Sequence, residues 1–398
     1  ADMAPLIGAN RNWLKEYLPI IKNTNNIAIK TIIKKLAIND KEITSDDIGF
    51  KIAPLINAVG RIGDPKLVID LLTNASEVTI KKLTKEFFDI NKERKRITSL
   101  AEKDALKMAN KEYSNNYKFI TIVNNDWHPG IIGIVAARIV EKFNLPTAII
   151  SVAKDGSYRG SIRSTNNLKV NFALDECNDL LISHGGHSAA AGFTIRKENI
   201  SKLKEKLNNI ANREFVDCDL TKSINPDACL SLSDINLSFY DQLMLLAPFG
   251  IRNKAPIFWS RKIRILEVKY LKGNHLKMII SDGNSFINAI KWNNLSQIKV
   301  NDLIDIAYTI EINNWKKFKT LQLNIIDIKK YNKVIDLQLH KKNYKCQLTD
   351  DMKIKISNSQ GECINSEIFQ LSNKDNLPKS SYAKKILSFA EIALGKTA

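Results

Sequence analysis

Residues 119–152 read FITIVNNDWHPGIIGIVAARIVEKFNLPTAIISV. An apolar run from Phe119 to Val123 meets a Pro129–Gly130 turn, a helical pattern follows from Ile131 to Phe143, and a second apolar run closes at Ala148–Val152. Strand, helix and strand in so short a span predict a parallel pair joined by a crossover helix, and hence an α/β domain. After the turn signal Asp155–Gly156, Tyr158–Ser164 reads as a strand and Leu168–Cys177 as a helix. The run Gly185-Gly186-His187-Ser188-Ala189-Ala190-Ala191-Gly192 then leads into Phe193–Ile195, and a helix over Lys197–Arg213 completes the unit.

Upstream, apolar or small residues at Ile80, Leu83, Phe87, Ile90, Ile97, Ala101, Ala105 and Met108 recur at three-and-four spacing, which predicts one long amphipathic helix from Ser76 to about Glu112. At 1.5 Å per residue it would run on the order of 50 Å, longer than most domains are wide, so it is expected to connect two lobes. Residues 1–75 carry shorter helical patterns, over Asn26–Leu36 and Asp46–Leu72, without an obvious core of their own. Downstream, Ile263–Lys269, His275–Ser281, Phe286–Trp292, Leu303–Ile312 and Thr320–Asp327 are five short β runs with polar turns, the pattern of a small barrel. Phe258 and Phe286 are expected in its core. Beyond Tyr331 the chain turns polar and irregular, with only Tyr382–Leu394 reading as helix.

A chain of 398 residues is long enough for two or more domains. No apolar run approaches the roughly 18–20 residues of a membrane span, so a soluble cytoplasmic protein without a membrane partner is expected. The five cysteines are odd in number and show no CxxC pairing, which fits a reducing compartment and argues against a zinc site. A net charge of +18 raises the prospect of a nucleic-acid partner. Only 12 of the 60 basic residues are arginines, in a chain visibly rich in Ile, Asn and Lys, so placement of charge matters more than its sum.

Three clusters carry candidate chemistry. Trp127-His128-Pro129-Gly130 follows a strand and opens a helix, where unpaired N–H groups favour ligands, although a loop histidine is more often structural. Gly160-Ser161-Ile162-Arg163-Ser164 sets a guanidinium fork between two hydroxyls, a set suited to phosphate. Gly185, Gly186 and His187 read equally well, taken alone, as a tight turn before a small-residue helix or as a phosphate cradle with an imidazole donor. In company with the Arg163 cluster the phosphate reading is the better one. In the β-rich segment, Lys272, Lys277, Lys291, Trp315, Lys316, Lys317 and Lys319 interleave cations with aromatic residues, as single-strand binding surfaces do.

Taken in order, Trp127–Arg138, Gly160–Ser164 and Gly185–Gly192 resemble the DHH-associated domain of the RecJ family of single-strand-specific exonucleases, in the DHH phosphoesterase superfamily. Ala1–Leu6 and Ile52–Asp64 resemble the end of that family's catalytic lobe, and Leu246–Gly250 opens a segment similar to its OB-fold. The resemblance implies α/β plus β architecture: the end of a DHH lobe (1–75), a long connecting helix (76–115), a DHH-associated α/β domain (116–215), an OB-fold barrel (216–332) and a C-terminal tail (333–398).

The resemblance also implies 5′-to-3′ removal of nucleotides from single-stranded DNA with Mn²⁺ or Mg²⁺, in repair and recombination, and single-strand binding protein as a partner. Carried over by position, Asp2 would be a metal ligand, while Arg163 and His187 would be catalytic. Ser161, Ser164, Gly185, Gly186, Asn57, Arg61, Trp127 and His128 would hold the substrate. The family's Asp-His-His triplet is absent from this sequence, so the chain is expected to begin inside the catalytic lobe, to bind single strands, and to need the missing lobe for cutting. The alternatives are a non-catalytic single-strand-binding module and a DHH-type phosphodiesterase for short oligonucleotides.

Overall fold

The computed structural model describes residues 4–38, 43–74, 76–153, 155–165, 167–215, 224–272, 275–292, 297–313, 320–332, 334–339, 342–349, 353–361, 363–367 and 381–394. The chain divides into two compact units, Gly8–Ser223 with the first four residues, and Pro5–Ile7 with Ile224–Ala398.

In the first unit, helices α1 (Gly8–Tyr17), α2 (Ile27–Lys35), α3 (Ala53–Ile62) and α4 (Lys66–Thr73) precede the 38-residue α5 (Glu77–Ser114). Ser76 caps α5 by accepting from the Thr79 N–H. Contrary to the expectation from residues 1–75 alone, these short helices do have a core: Ala28, Ile32, Leu55, Val59, Leu67 and Leu71 close around Ile80 and Phe87. The long helix supplies the missing apolar side. Further along, its Ala101, Ala105 and Ala109 enter a second core, their four-residue spacing leaving a small-residue stripe for a neighbour to approach.

That second core belongs to a five-stranded sheet of order β1-β2-β3-β5-β4, with β1 (Ile120–Val123) parallel to β2 (Thr147–Val152) and β3 (Tyr158–Arg163), β5 (Ala190–Ile195) and β4 (Leu181–His187) antiparallel. Helix α6 (Pro129–Phe143) is the β1-to-β2 crossover, and α7 (Val170–Glu176) and α8 (Ile200–Glu214) contribute Val170, Leu174, Leu203 and Leu207 to the same core. The Gly185–Gly192 run is a β-hairpin, with neither a turn-to-helix junction nor a small-residue helix. Gly186 holds φ near +148°, and a Cβ there would come within 2.4 Å of the Ala190 carbonyl oxygen. Only glycine lets these two strands close.

The second unit contains a closed barrel of β7 (Phe258–Leu271), β8 (His275–Ser281), β9 (Phe286–Lys291), β11 (Thr320–Lys330) and β10 (Leu303–Asn313), sealed by β10 against β7, with β6 (Ala228–Cys229) extending it and α9 (Leu237–Met244) preceding β7 in the chain. Phe258 is buried in the barrel. Phe286 is not: it is 76% exposed, because it pairs with Ser281 on the outer face while its neighbour Ile287 points inward. A period-two strand gives alternate residues opposite fates, so an aromatic one position from the core faces solvent.

The stretch after residue 332 also differs from the irregular tail expected. It forms a four-stranded antiparallel sheet, β12 (Val334–Leu339), β13 (Lys342–Leu348), β14 (Lys353–Asn358) and β15 (Cys363–Glu367), with α10 (Ser381–Ala393). Tyr344, Cys346, Ile354 and Ile356 meet Ile386, Leu387 and Ala390 in a small core. The period-two alternation is present, as in Lys353-Ile354-Lys355-Ile356-Ser357, but the polar composition of the region outweighs it when the stretch is read as a whole.

Candidate phosphate-binding cavity

A cavity of about 1110 Å³ opens where β1 and β2 end and α6 begins, the usual ligand position of α/β sheets. His128 is the N-cap of α6, its Nδ1 accepting from the Gly130 N–H at 3.0 Å, and Trp127 is buried beneath the loop in the main core. Arg61, from the end of α3, donates from Nη1 to the Gly130 carbonyl at 3.1 Å. Glycine at 130 is required by that approach, since a Cβ would lie 2.1 Å from the Arg61 carbonyl oxygen.

Arg163 reaches back along β3. Its Nη1 donates to Ser161 Oγ at 3.0 Å and to the Ile162 carbonyl at 2.7 Å, while Gly133 of α6 leaves room for it: a Cβ at 133 would stand 2.9 Å from both Arg163 Nη2 and Ser161 Oγ. Burial, then the neighbouring Arg61 charge, depress the Arg163 pKa. The same two causes act on Arg94 of α5, whose Nη2 donates to the buried Asn91 at 2.7 Å. The hydrogen-bond partners of Arg61, Arg94 and Arg163 among the described residues are carbonyls and neutral side chains, with no carboxylate. The Arg61 charge thus adds to the cost of ionising both Arg163 and Arg94, and beside the start of α6 the cavity presents Arg61 and Arg163 without a carboxylate partner among the described residues. Asp126 and Asp155 are the carboxylates lining the cavity among the described residues.

Of the residues singled out from sequence, Arg163, Ser161, Arg61, Trp127, His128 and Gly185 line this cavity. Gly186, His187, Ser164 and Asn57 do not. His187 shares a row of the sheet with Arg163 through Ala190, two strands or about 10 Å away between backbones, and is exposed at the hairpin end. Ser164 Oγ is buried without a hydrogen-bond partner, its N–H donating to the Ala189 carbonyl, and Asn57 is exposed on α3. Arg94 escaped sequence reasoning, since an arginine on a charged helix carries no signal of its own. On the barrel, Lys272 and Lys277 are exposed, Lys291 donates to the Ile326 carbonyl at 2.8 Å, and His275 stands edge-on to Trp292 at 4.8 Å. Trp315, Lys316, Lys317 and Lys319 lie outside the described residues, as does Asp2.

No group of three or more His, Cys, Asp or Glu side chains with metal-holding geometry occurs among the described residues. They therefore do not fit a Mn²⁺ or Mg²⁺ centre. Likewise, no helix among the described residues is long and apolar enough to cross a membrane.

Comparison with known proteins agrees with the two-part fold. Residues 115–213 match the DHHA1 domain and residues 226–327 the RecJ OB domain. The single-stranded-DNA-specific exonuclease RecJ of Bacillus subtilis is 29% identical over 333 residues, covering 82% of this chain and 42% of its own length. RecJ of Salmonella typhimurium is 26% identical over 345 residues, covering 82% and 59%. The chain thus spans about half the length of the curated relatives it matches. The crystal structure of Thermus thermophilus RecJ in complex with Mn²⁺ superposes with a TM-score of 0.72 at 25% identity, over 83% of this chain and 48% of that one. A second structure of the same protein contains Mg²⁺.

Proposed function

We propose that this chain, in which a DHHA1 domain precedes a RecJ OB domain, is the substrate-gripping portion of a RecJ-like, single-stranded-DNA-specific exonuclease working in the cytoplasm in repair and recombination. The observation that carries the reading is the pair Arg61 and Arg163, which line the cavity at the start of α6 with no carboxylate among their hydrogen-bond partners in the described residues. It takes the phosphate of a 5′ end, with Ser161 as a further donor and the glycines at 130, 133 and 185 giving a ligand and backbone room to approach. His187, Gly186 and Asn57 serve the nucleotide beyond that phosphate, with Ser164 tying β3 to the hairpin through its N–H to the Ala189 carbonyl. The OB domain, through Lys272, Lys277, Lys291, Trp315, Lys316, Lys317 and Lys319, holds the following strand. Mn²⁺ or Mg²⁺, the ions of the T. thermophilus structures, acts at ligands outside the described residues, with Asp2 as one of them and a DHH lobe supplying the rest. Single-strand binding protein is the partner that this reading adds.

The purified chain should bind single-stranded DNA with a log–log salt slope of about −0.7 per phosphate contacted, measured by fluorescence anisotropy. Salt-insensitive binding, or equal affinity for duplex, would remove the nuclease-substrate reading. A Mn²⁺ nuclease assay on labelled single strands, with the chain alone and with a DHH lobe added, tests the division of labour: cutting is expected only in the second case.

A further inference from the structure

One edge of the cavity carries polar residues that the 5′-phosphate reading does not use. Arg159 of β3 pairs with Thr194 of β5, which pairs with Ser183 of β4, and all three line the cavity. The next row on the same sheet face, two residues along each strand, is Ser161, Gly192 and Gly185. Side chains two apart on a strand share a face and stand about 7 Å from each other. A guanidinium and two hydroxyls are thus set one step from Ser161, whose hydroxyl bonds Arg163.

Arg159 is held in place. Its Nη2 donates to Asp155 Oδ2 at 2.9 Å, and Asp155 is itself fixed by the Ser157 N–H and hydroxyl, which pull its pKa down first, with Arg159 adding to the effect. Both partners are more than half exposed, at 54% and 57%, so the pair contributes little to folding. What it does is aim the rest of the Arg159 fork. Those remaining N–H groups have no protein partner among the described residues.

We propose that Arg159, Thr194 and Ser183 form a second phosphate position, so that the cavity grips two consecutive phosphates of a 5′-phosphorylated strand and distinguishes an oligonucleotide from a mononucleotide. The proposal rests on the reading of the Arg163 position as the first phosphate site. Asp155 is the opposing element: it orients Arg159 and, as a carboxylate, weakens the anion it helps to place.

Thymidine 5′-monophosphate and the 5′-phosphorylated dinucleotide pdTpdT, titrated into the whole chain by calorimetry, separate the two positions. Arg159→Ala should weaken pdTpdT about tenfold and leave the monophosphate unchanged. Asp155→Asn keeps the oxygen that accepts from Ser157 and should tighten pdTpdT alone. Equal effects of Arg159→Ala on both ligands, or none on either, would overturn the second position. Arg163→Ala should weaken both; if it weakens neither, the first site is the one that fails. Because Arg159 is exposed, thermal melting of its variant should match the parent and exclude misfolding as the cause.

Discussion

Replacing Arg163 by alanine should cost 10- to 100-fold in affinity for a 5′-phosphorylated single strand while leaving the melting temperature unchanged or raising it. Hydrogen bonds between charged groups contribute about 1.5–3 kcal/mol, and 1.4 kcal/mol is a factor of ten. The stability half of the expectation follows from the same geometry. The Arg163 guanidinium is partly buried, depressed in pKa by desolvation and then by Arg61, and among the described residues it bonds Ser161 and the Ile162 carbonyl. Removing it relieves repulsion and desolvation and leaves no buried carboxylate stranded. Arg163→Lys keeps the charge without the fork and should fall between parent and alanine. Anisotropy on 5′-phosphorylated and 5′-hydroxyl strands, beside differential scanning fluorimetry, reads both halves. A variant that melts several degrees lower and binds normally would make Arg163 a structural residue.

Gly130→Ala and Gly133→Ala should separate the scaffold from the site. The added methyl at 130 meets backbone, the Arg61 carbonyl, which cannot swing aside, so the end of α3 and the start of α6 must part. Overpacking of this kind costs about 1–3 kcal/mol, and the Arg61–Gly130 hydrogen bond is lost with it. At 133 the methyl meets the ends of two side chains, Arg163 and Ser161, which can turn away. The first variant is therefore expected to lower both melting temperature and phosphate binding, the second to lower binding with the fold intact. If Gly130→Ala melts like the parent, α3 and α6 do not press on each other as described.

Much of this architecture can be read from residue pattern, and the failures have physical causes. The β1–α6–β2 crossover is visible because two continuous apolar runs flank a helical pattern, and the barrel strands because their residues alternate. The core shared by α2, α3 and α4 is incomplete within residues 1–75, because Ile80 and Phe87, around which it closes, arrive on a helix that begins later. The Gly185–Gly192 run misleads in another way: small residues suit a helix as well as a hairpin, and the positive φ of Gly186 has no counterpart in composition. At the site, Arg61, Arg163 and Ser161 announce themselves through the motifs around them. Arg94 becomes interpretable only once α5 places it beside Arg61.

One helix, α5, carries side chains of both cores. Phe87 anchors one and Ala105 the other on a single run of helical hydrogen bonds, and unravelling either end exposes apolar surface at a point where the helix has no glycine or proline to break at. Opening events that release backbone amides to exchange with solvent should therefore take the short helices and the sheet together, as one cooperative unit. On the proposed reading, the arginines that take a 5′ phosphate thereby draw rigidity from a distance, through the stiffness of one shared rod.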